Sequence, residues 1–213
     1  MSPVETNRIG ELLGGGLADD AVAAARRLVV RADAEGLVDV AYSSFDSPLG
    51  VGHVATTERG IVSISLPAFG GESFVEQLTR VSPRVVELPR RLDRARRELD
   101  EYFEGRRRAF ELDLDWGLVR SKFASRVLHE TARVPYGVTT SYGEVAARAG
   151  NPRAFRAAGT ALGHNPIPIV VPCHRVLRAG GVLGNYGGGP EMKAFLLRLE
   201  GALGSDDTQP AAE

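Results

Sequence analysis

Cys173 is the one cysteine of the chain, and His174 and Arg175 follow it directly in the run Val170-Val171-Pro172-Cys173-His174-Arg175-Val176. A lone cysteine is ordinarily a small buried hydrophobe. This flank points to more: Pro172 fixes the backbone before the sulfur, and a neighbouring imidazole and guanidinium offer a base and a charge that favours thiolate over thiol. Adjacent side chains of an extended segment point opposite ways, so His174 is expected to reach the sulfur through a water. Metal binding fails on ligand count, since only His53, His129 and His164 remain and none stands at a zinc-like spacing from Cys173. Covalent hydrolysis fits the same residues, with Asn165 or Glu200 as the group that orients the histidine. The run by itself selects no substrate.

The elements that must position this run read as helices over 119–133, 141–149 and 152–163. Gly150 closes one helix, Asn151 is placed to cap the next, and Pro152 falls at a first helical position where a missing N–H costs nothing. Two short helices with a tight connection predict a helix-turn-helix. Its second helix, rich in small residues, includes Ala157, Ala158, Gly159 and Thr160, which permit close approach to another surface, with Arg153 and Arg156 able to meet phosphate or enter a base stack. A small-residue helix packed into a core is the competing reading.

The first half of the chain has a different period. Val38, Val40 and Tyr42, then Val51, His53 and Ala55, then Ile61, Ile64 and Leu66 are separated by turn residues and predict a three-stranded antiparallel meander. Helical spacing returns with Phe74, Leu78 and Val81, and again with Leu92, Leu99 and Phe103, before a solvated basic turn at 106–108. The fold class is therefore α+β: an N-terminal three-stranded antiparallel sheet with helices, then a mostly helical domain carrying the helix-turn-helix and the cysteine loop. The expected divisions are a partly helical extension over 1–37, an α/β domain over 38–116, a second domain over 117–203 and a disordered tail over 204–213.

A net charge of −1 conceals a strong asymmetry. Residues 1–116 carry 15 basic and 20 acidic side chains, residues 117–200 carry 11 and 4, and residues 201–213 carry none and 3. A polyanion would meet the second half. The apolar stretch leading to Cys173 is proline-broken and far short of the roughly 20 residues a membrane span needs. The start of the chain lacks a secretory pattern and one cysteine forms no internal disulfide, so a reducing cytoplasm is expected.

The Pro172-Cys173-His174-Arg175-Val176 run, preceded by Asn165-Pro166-Ile167-Pro168 and followed by Gly184-Asn185-Tyr186-Gly187-Gly188-Gly189, resembles the O6-alkylguanine-DNA alkyltransferases, the methylated-DNA–protein-cysteine methyltransferases. The likeness continues through Pro135-Tyr136-Gly137-Val138-Thr139-Thr140-Ser141-Tyr142, Asn151-Pro152-Arg153-Ala154-Phe155-Arg156 and, downstream, Lys193, Leu196, Leu197 and Glu200-Gly201. It is strong over about residues 119–201 and weaker from Ser47-Pro48-Leu49-Gly50 onward.

The resemblance implies direct-reversal repair. The alkyl group of O6-alkylguanine, or less readily O4-alkylthymine, passes irreversibly to Cys173 after the base is flipped out of duplex DNA bound through its minor groove. It implies that Glu200 orients His174, Asn165 is a hinge beside the active-site strand, and Tyr142 donates to the departing base. Arg156 would be the finger that fills the vacated stack, with Arg153, Ala157, Ala158, Gly159, Thr160 and Tyr142 along the DNA. Leu162, Pro168, Val176, Leu183, Tyr186, Gly187 and Gly188 would line the base pocket. Backbone carbonyls at Cys173 and Val176 would accept from the base's exocyclic amine. No cofactor or metal is implied, and a monomer is expected. Phe155 is bulkier, and Gly187 smaller, than in many relatives. A damage sensor without transfer, a cysteine hydrolase and an alkylation-regulated transcription factor are the competing functions.

Overall fold

The computed structural model describes residues 22–67 and 73–204. The first part of the expected extension, up to residue 21, and the expected tail beyond Gly204 lie outside the described residues. The chain divides into two units, Met1–Asp39 and Val40–Glu213. In the first, helix α1 covers residues 22–34, Arg31 Nε bonds Glu35 Oε1 one turn on at 2.8 Å, and Gly36 follows with φ 69°.

In the second unit β1 (Val40–Phe45), β2 (Gly52–Thr57) and β3 (Gly60–Ser65) form the expected meander, with Tyr42 opposite Ala55 and Val54 opposite Ile64. The sheet has a fourth strand that the sequence reading lacks. β4 (Val85–Glu87) pairs parallel with β1, giving the order β3-β2-β1-β4. Three residues are too short to display an alternation. Both sheet faces are buried. Val40, Ala55, Val62 and Leu78 of α2 (Phe74–Thr79) close one side, while Phe45, Val54, Ile61 and Ile64 join the main core with Leu92, Leu99 and Tyr102.

Helix α3 (Asp93–Phe103) presents Ala95, Leu99, Tyr102 and Phe103 to that core at helical spacing. In the basic turn beyond it Arg106 and Arg108 are exposed as expected, while Arg107 is half-buried and reaches Glu101 at 2.8 Å and Glu98 at 3.3 Å. The second half then follows as α4 (Lys122–Ala132), α5 (Tyr142–Arg148) and α6 (Phe155–Gly163). Ser141 and Glu144 close a reciprocal capping box at the start of α5, and Gly150 turns the chain out of it with φ 87°.

The start of α6 differs from expectation. Asn151 does not cap it, and Pro152 is not its first residue. The Asn151 carbonyl accepts from Ala154 N–H at 3.0 Å, making a separate turn through Pro152 and Arg153, and the helix begins at Phe155. An Asn-Pro pair favours turn initiation over continuing a helix. Finally β5 (Thr140–Ser141) pairs parallel with β6 (Val176–Leu177), and α7 (Gly189–Leu199) packs over the cysteine turn.

Candidate functional site

The two-residue β5–β6 pair is what assembles the site. Thr140 lies opposite Val176 and Ser141 opposite Leu177, so Tyr142 begins α5 beside the 3₁₀ turn Cys173–Arg175 that precedes β6. The approach to that turn is constrained. Ile169 is fully buried with φ 74°, a conformation a β-branched residue adopts only under strain. Pro172, at φ −80° and ψ 65°, makes an inverse γ-turn in which Cys173 N–H donates to the Val171 carbonyl at 2.8 Å.

Asn165 stitches this loop together. Its Oδ1 accepts from Ile167 N–H at 3.1 Å, and its Nδ2 donates both to the Val171 carbonyl at 2.8 Å and to Cys173 Sγ at 3.2 Å. The thiol itself is buried. Burial pushes its pKa up, while the Asn165 hydrogen bond, the Lys193 charge and the Tyr186 hydroxyl draw it back down.

Cys173 and His174 lie in a 3₁₀ turn and not in the extended segment expected, and the His174 ring is committed to Glu200. Its Nε2 is 2.9 Å from Glu200 Oε1, and its Nδ1 is buried without a protein partner among the described residues. Burial lowers the imidazole pKa, partly offset by Glu200. With Glu200 ionised, Nε2 carries the proton and Nδ1 the lone pair. Burial alone would raise the Glu200 pKa, yet hydrogen bonds from His174 and Arg175 hold it at about 2.

Arg175 requires a correction: it is not the cation beside the thiol. Its Nε and NH2 bond the two oxygens of Glu200 at 2.8 Å each, and its NH1 bonds the Val134 carbonyl. The cation near the sulfur is Lys193, fully buried on α7 with Nζ 2.6 Å from the Val176 carbonyl and a pKa lowered by burial to about 8. Lys193 entered the sequence reading only as part of a likeness, because one lysine in an amphipathic helix signals nothing. Both carbonyls expected to meet a base amine have internal partners: Val176 that of Lys193, and Cys173 the N–H of Val176.

Tyr142 is half-buried, with its hydroxyl 3.4 Å from the Asn185 carbonyl and Lys193 Nζ 5.7 Å from its ring centroid. Burial raises its pKa, so it is a phenol donor at neutral pH. Two glycines shape its slot. A Cβ at Gly159 would lie 3.7 Å from the ring, and one at Gly184 only 2.7 Å from the hydroxyl, so a side chain at 184 would displace the phenol. Tyr186 faces Cys173, and burial drives its pKa well above the usual tyrosine value.

The remaining predicted residues divide by burial. Pro168, Leu162 and Val176 are buried, and Leu162 and Val176 share the core cluster of Cys173. Leu183 is half-buried, Gly187 is exposed, and Gly188 packs against Met192. On α6, Arg156, Ala157 and Thr160 are exposed, but Ala158 is fully buried and cannot touch an external partner. Arg153 is exposed in the preceding turn rather than on the helix. His53 stacks on Phe74, His129 stacks on Trp116, and His164 Nδ1 bonds the Thr160 carbonyl at 2.8 Å, so none approaches the thiol site. Among the described residues no group of three metal-binding side chains occurs.

Two family models match, the 6-O-methylguanine DNA methyltransferase ribonuclease-like domain over residues 40–116 and the DNA binding domain of the same family over residues 122–202. The chain belongs to the 6-O-methylguanine DNA methyltransferase family.

Methyltransferase relatives include the methylated-DNA–protein-cysteine methyltransferase of Mycolicibacterium paratuberculosis, 41% identical over 76% of this chain and 92% of that protein. The protein of the same description from Methanosarcina acetivorans is 38% identical over 76% of this chain and 98% of its own length. Among solved structures, Mycobacterium tuberculosis OGT in complex with DNA is similar, with a TM-score of 0.67 and 36% identity over 76% of this chain and 93% of that one. The methyltransferase from Pyrococcus kodakaraensis, at 23% identity and a TM-score of 0.50, shares the fold. The α+β class and its helical second half agree with this family. No helix among the described residues is long and apolar enough to cross a membrane.

Proposed function

We propose that this protein repairs alkylated DNA by moving the alkyl group from guanine O6, or less readily thymine O4, onto Cys173. The observation that carries the reading is a free, buried thiol held by Asn165 next to a His174–Glu200 pair, in a chain of this family. The resting state is a neutral thiol and a neutral imidazole with its lone pair on Nδ1. A water between them passes the thiol proton to Nδ1 as the sulfur attacks. The S–C bond forms as the C–O6 bond breaks, and the departing guanine takes a proton from Tyr142, whose phenolate regains one through solvent as the His174 imidazolium gives one up. The product thioether has no neighbour able to hydrolyse it, so each chain reacts once.

The exposed side of α6 would face the minor groove, with Arg156 entering the stack left by the flipped base and Arg153, Ala157 and Thr160 alongside. The excess of basic residues over 117–200 supports that assignment, and residues 40–116 then serve as the domain that buttresses it. A thiol that must remain reduced suits the cytoplasm. Cysteine at position 173 disfavours a sensor without transfer. The test is intact-mass analysis after mixing the protein with duplex carrying one O6-methylguanine. One methyl per chain, mapped to Cys173, is expected. Unmodified protein in excess lesion, or many equivalents processed per chain, would overturn the reading.

A further inference from the structure

Tyr102 lies on α3, 98 residues from Glu200 in sequence, yet its hydroxyl donates to Glu200 Oε1 at 2.7 Å and the whole side chain is buried. The same oxygen accepts from His174 Nε2 at 2.9 Å and Arg175 NH2 at 2.8 Å. Oε2 takes Arg175 Nε at 2.8 Å and the Gly137 N–H at 3.3 Å. Every side of the carboxylate is therefore occupied, and Tyr102 supplies its one hydroxyl donor among the described residues.

The phenol has little freedom to move. Its ring centroid is 5.4 Å from that of Phe103, 5.5 Å from Phe110 and 6.2 Å from Tyr136 at 83°. Tyr136 is itself tied by its hydroxyl to the Leu199 carbonyl at 2.9 Å, immediately before Glu200 in the chain. Packing alone would be served by phenylalanine. A hydroxyl aimed at the oxygen that orients the histidine does something more.

We infer that Tyr102 is a positioning residue for the transfer: its hydroxyl fixes the rotation of the Glu200 carboxylate and takes up part of its charge, so that His174 stays neutral with Nδ1 free as the base. This rests on the alkyl-transfer reading and adds a contribution from the N-terminal half of the fold. Cys173 and Arg175 flank His174 in its own turn. Glu200 and Lys193 act on it from α7 and its end, while Tyr102 from α3 meets Glu200 and Tyr186 from the segment before α7 meets Cys173. Of these, Tyr102 can lose its polar atom to Phe without any change of charge. Glu200 Oε1 then has one donor fewer, its field falls more fully on the imidazole, and the imidazolium is favoured.

The experiment is the pH profile of single-turnover alkylation by free O6-benzylguanine, followed by intact mass on the full chain, for the wild type and Tyr102→Phe. Free nucleobase removes DNA binding from the measurement. The acidic limb, where His174 must lose its proton to act, should move up by about half a pH unit, the size expected for one neutral hydrogen bond, with a lower plateau. A variant with reduced melting temperature but an unmoved limb overturns the inference. Site-specific 3-fluorotyrosine at 102, a stronger donor of nearly the same shape, should move the limb the other way, and it keeps the test open if the Phe variant fails to fold. Wild type that forms no adduct would count against the transfer reading. Wild type that reacts, with both limbs unmoved, defeats the role of Tyr102 alone.

Discussion

Arg175 grips Glu200 with two parallel hydrogen bonds, Nε to Oε2 and NH2 to Oε1, each 2.8 Å, and both side chains are withdrawn from water. A buried guanidinium without its carboxylate is an uncompensated charge, so Glu200→Gln should cost about 3–5 kcal/mol of stability in addition to slowing transfer. The pH dependence has a definite sign. The Glu200 pKa is about 2 in the fold against an ordinary value of 4.5, so its contribution is complete above the ordinary value and is lost as pH falls toward about 2. Denaturant melts of the wild type should weaken across that window by about 3 kcal/mol, and the Gln variant should lack this component. Parallel pH profiles of the two would remove the assignment.

Cys173→Ala should abolish transfer while leaving DNA affinity intact. The loop does not depend on the sulfur, because Asn165 Nδ2 keeps its 2.8 Å bond to the Val171 carbonyl and Oδ1 its bond to Ile167 N–H. Fluorescence anisotropy with a lesion-bearing duplex, beside intact mass, measures both properties. A comparable loss of binding would mean that the cysteine supports the loop rather than the chemistry.

Arg156 is exposed, with its guanidinium 5.5 Å from the Phe155 ring centroid, and among the described residues no ion pair ties it down. Arg156→Ala should therefore change stability by no more than about 0.5 kcal/mol. Its effect should appear as a large loss of repair in duplex DNA with little loss against free O6-benzylguanine. Equal losses on both substrates would take the finger role away.

The parts of this site that were legible in the sequence are local ones. Pro172-Cys173-His174 points to a reactive thiol within three residues, and Gly150 marks the end of α5 correctly. The parts that were not legible depend on distant or featureless residues. Tyr102 looks like one more core aromatic until the fold brings it to Glu200, and Arg175 beside Cys173 in sequence points elsewhere in space. Ala157, Ala158 and Gly159 are all small, so the helix carries no apolar contrast to show that Ala158 alone of the three is fully buried.

Binding should weaken with salt, because the exposed cations of α6 and its preceding turn would displace counterions from phosphates. Each contact contributes a slope of about −0.9 in log affinity against log salt, and Arg153→Ala should flatten the slope by about that amount if it meets one phosphate. A salt-independent affinity would contradict the use of the basic second half as the DNA face.

Lys193 offers the sharpest electrostatic test. Its charge lowers the Cys173 pKa against the effect of burial, and Lys193→Met retains the length and the apolar stem without the ammonium. The thiol pKa should then rise, and each unit of rise cuts the thiolate fraction about tenfold below that pKa. The ammonium also has a lowered pKa, about 8 against 10.5, so folding disfavours its charged form below that value and the penalty lifts as pH rises toward 10.5. Wild type should accordingly alkylate faster than the Met variant at neutral pH. Its advantage should shrink above about pH 8, as the lysine surrenders its proton. Near neutral pH the variant should be no less stable to heat than the wild type, apart from what the Val176 carbonyl loses with its partner. Rates with free O6-benzylguanine from about pH 6 to 9, beside melting curves, check all three statements. Identical rate profiles would show that the buried cation does not act on the sulfur.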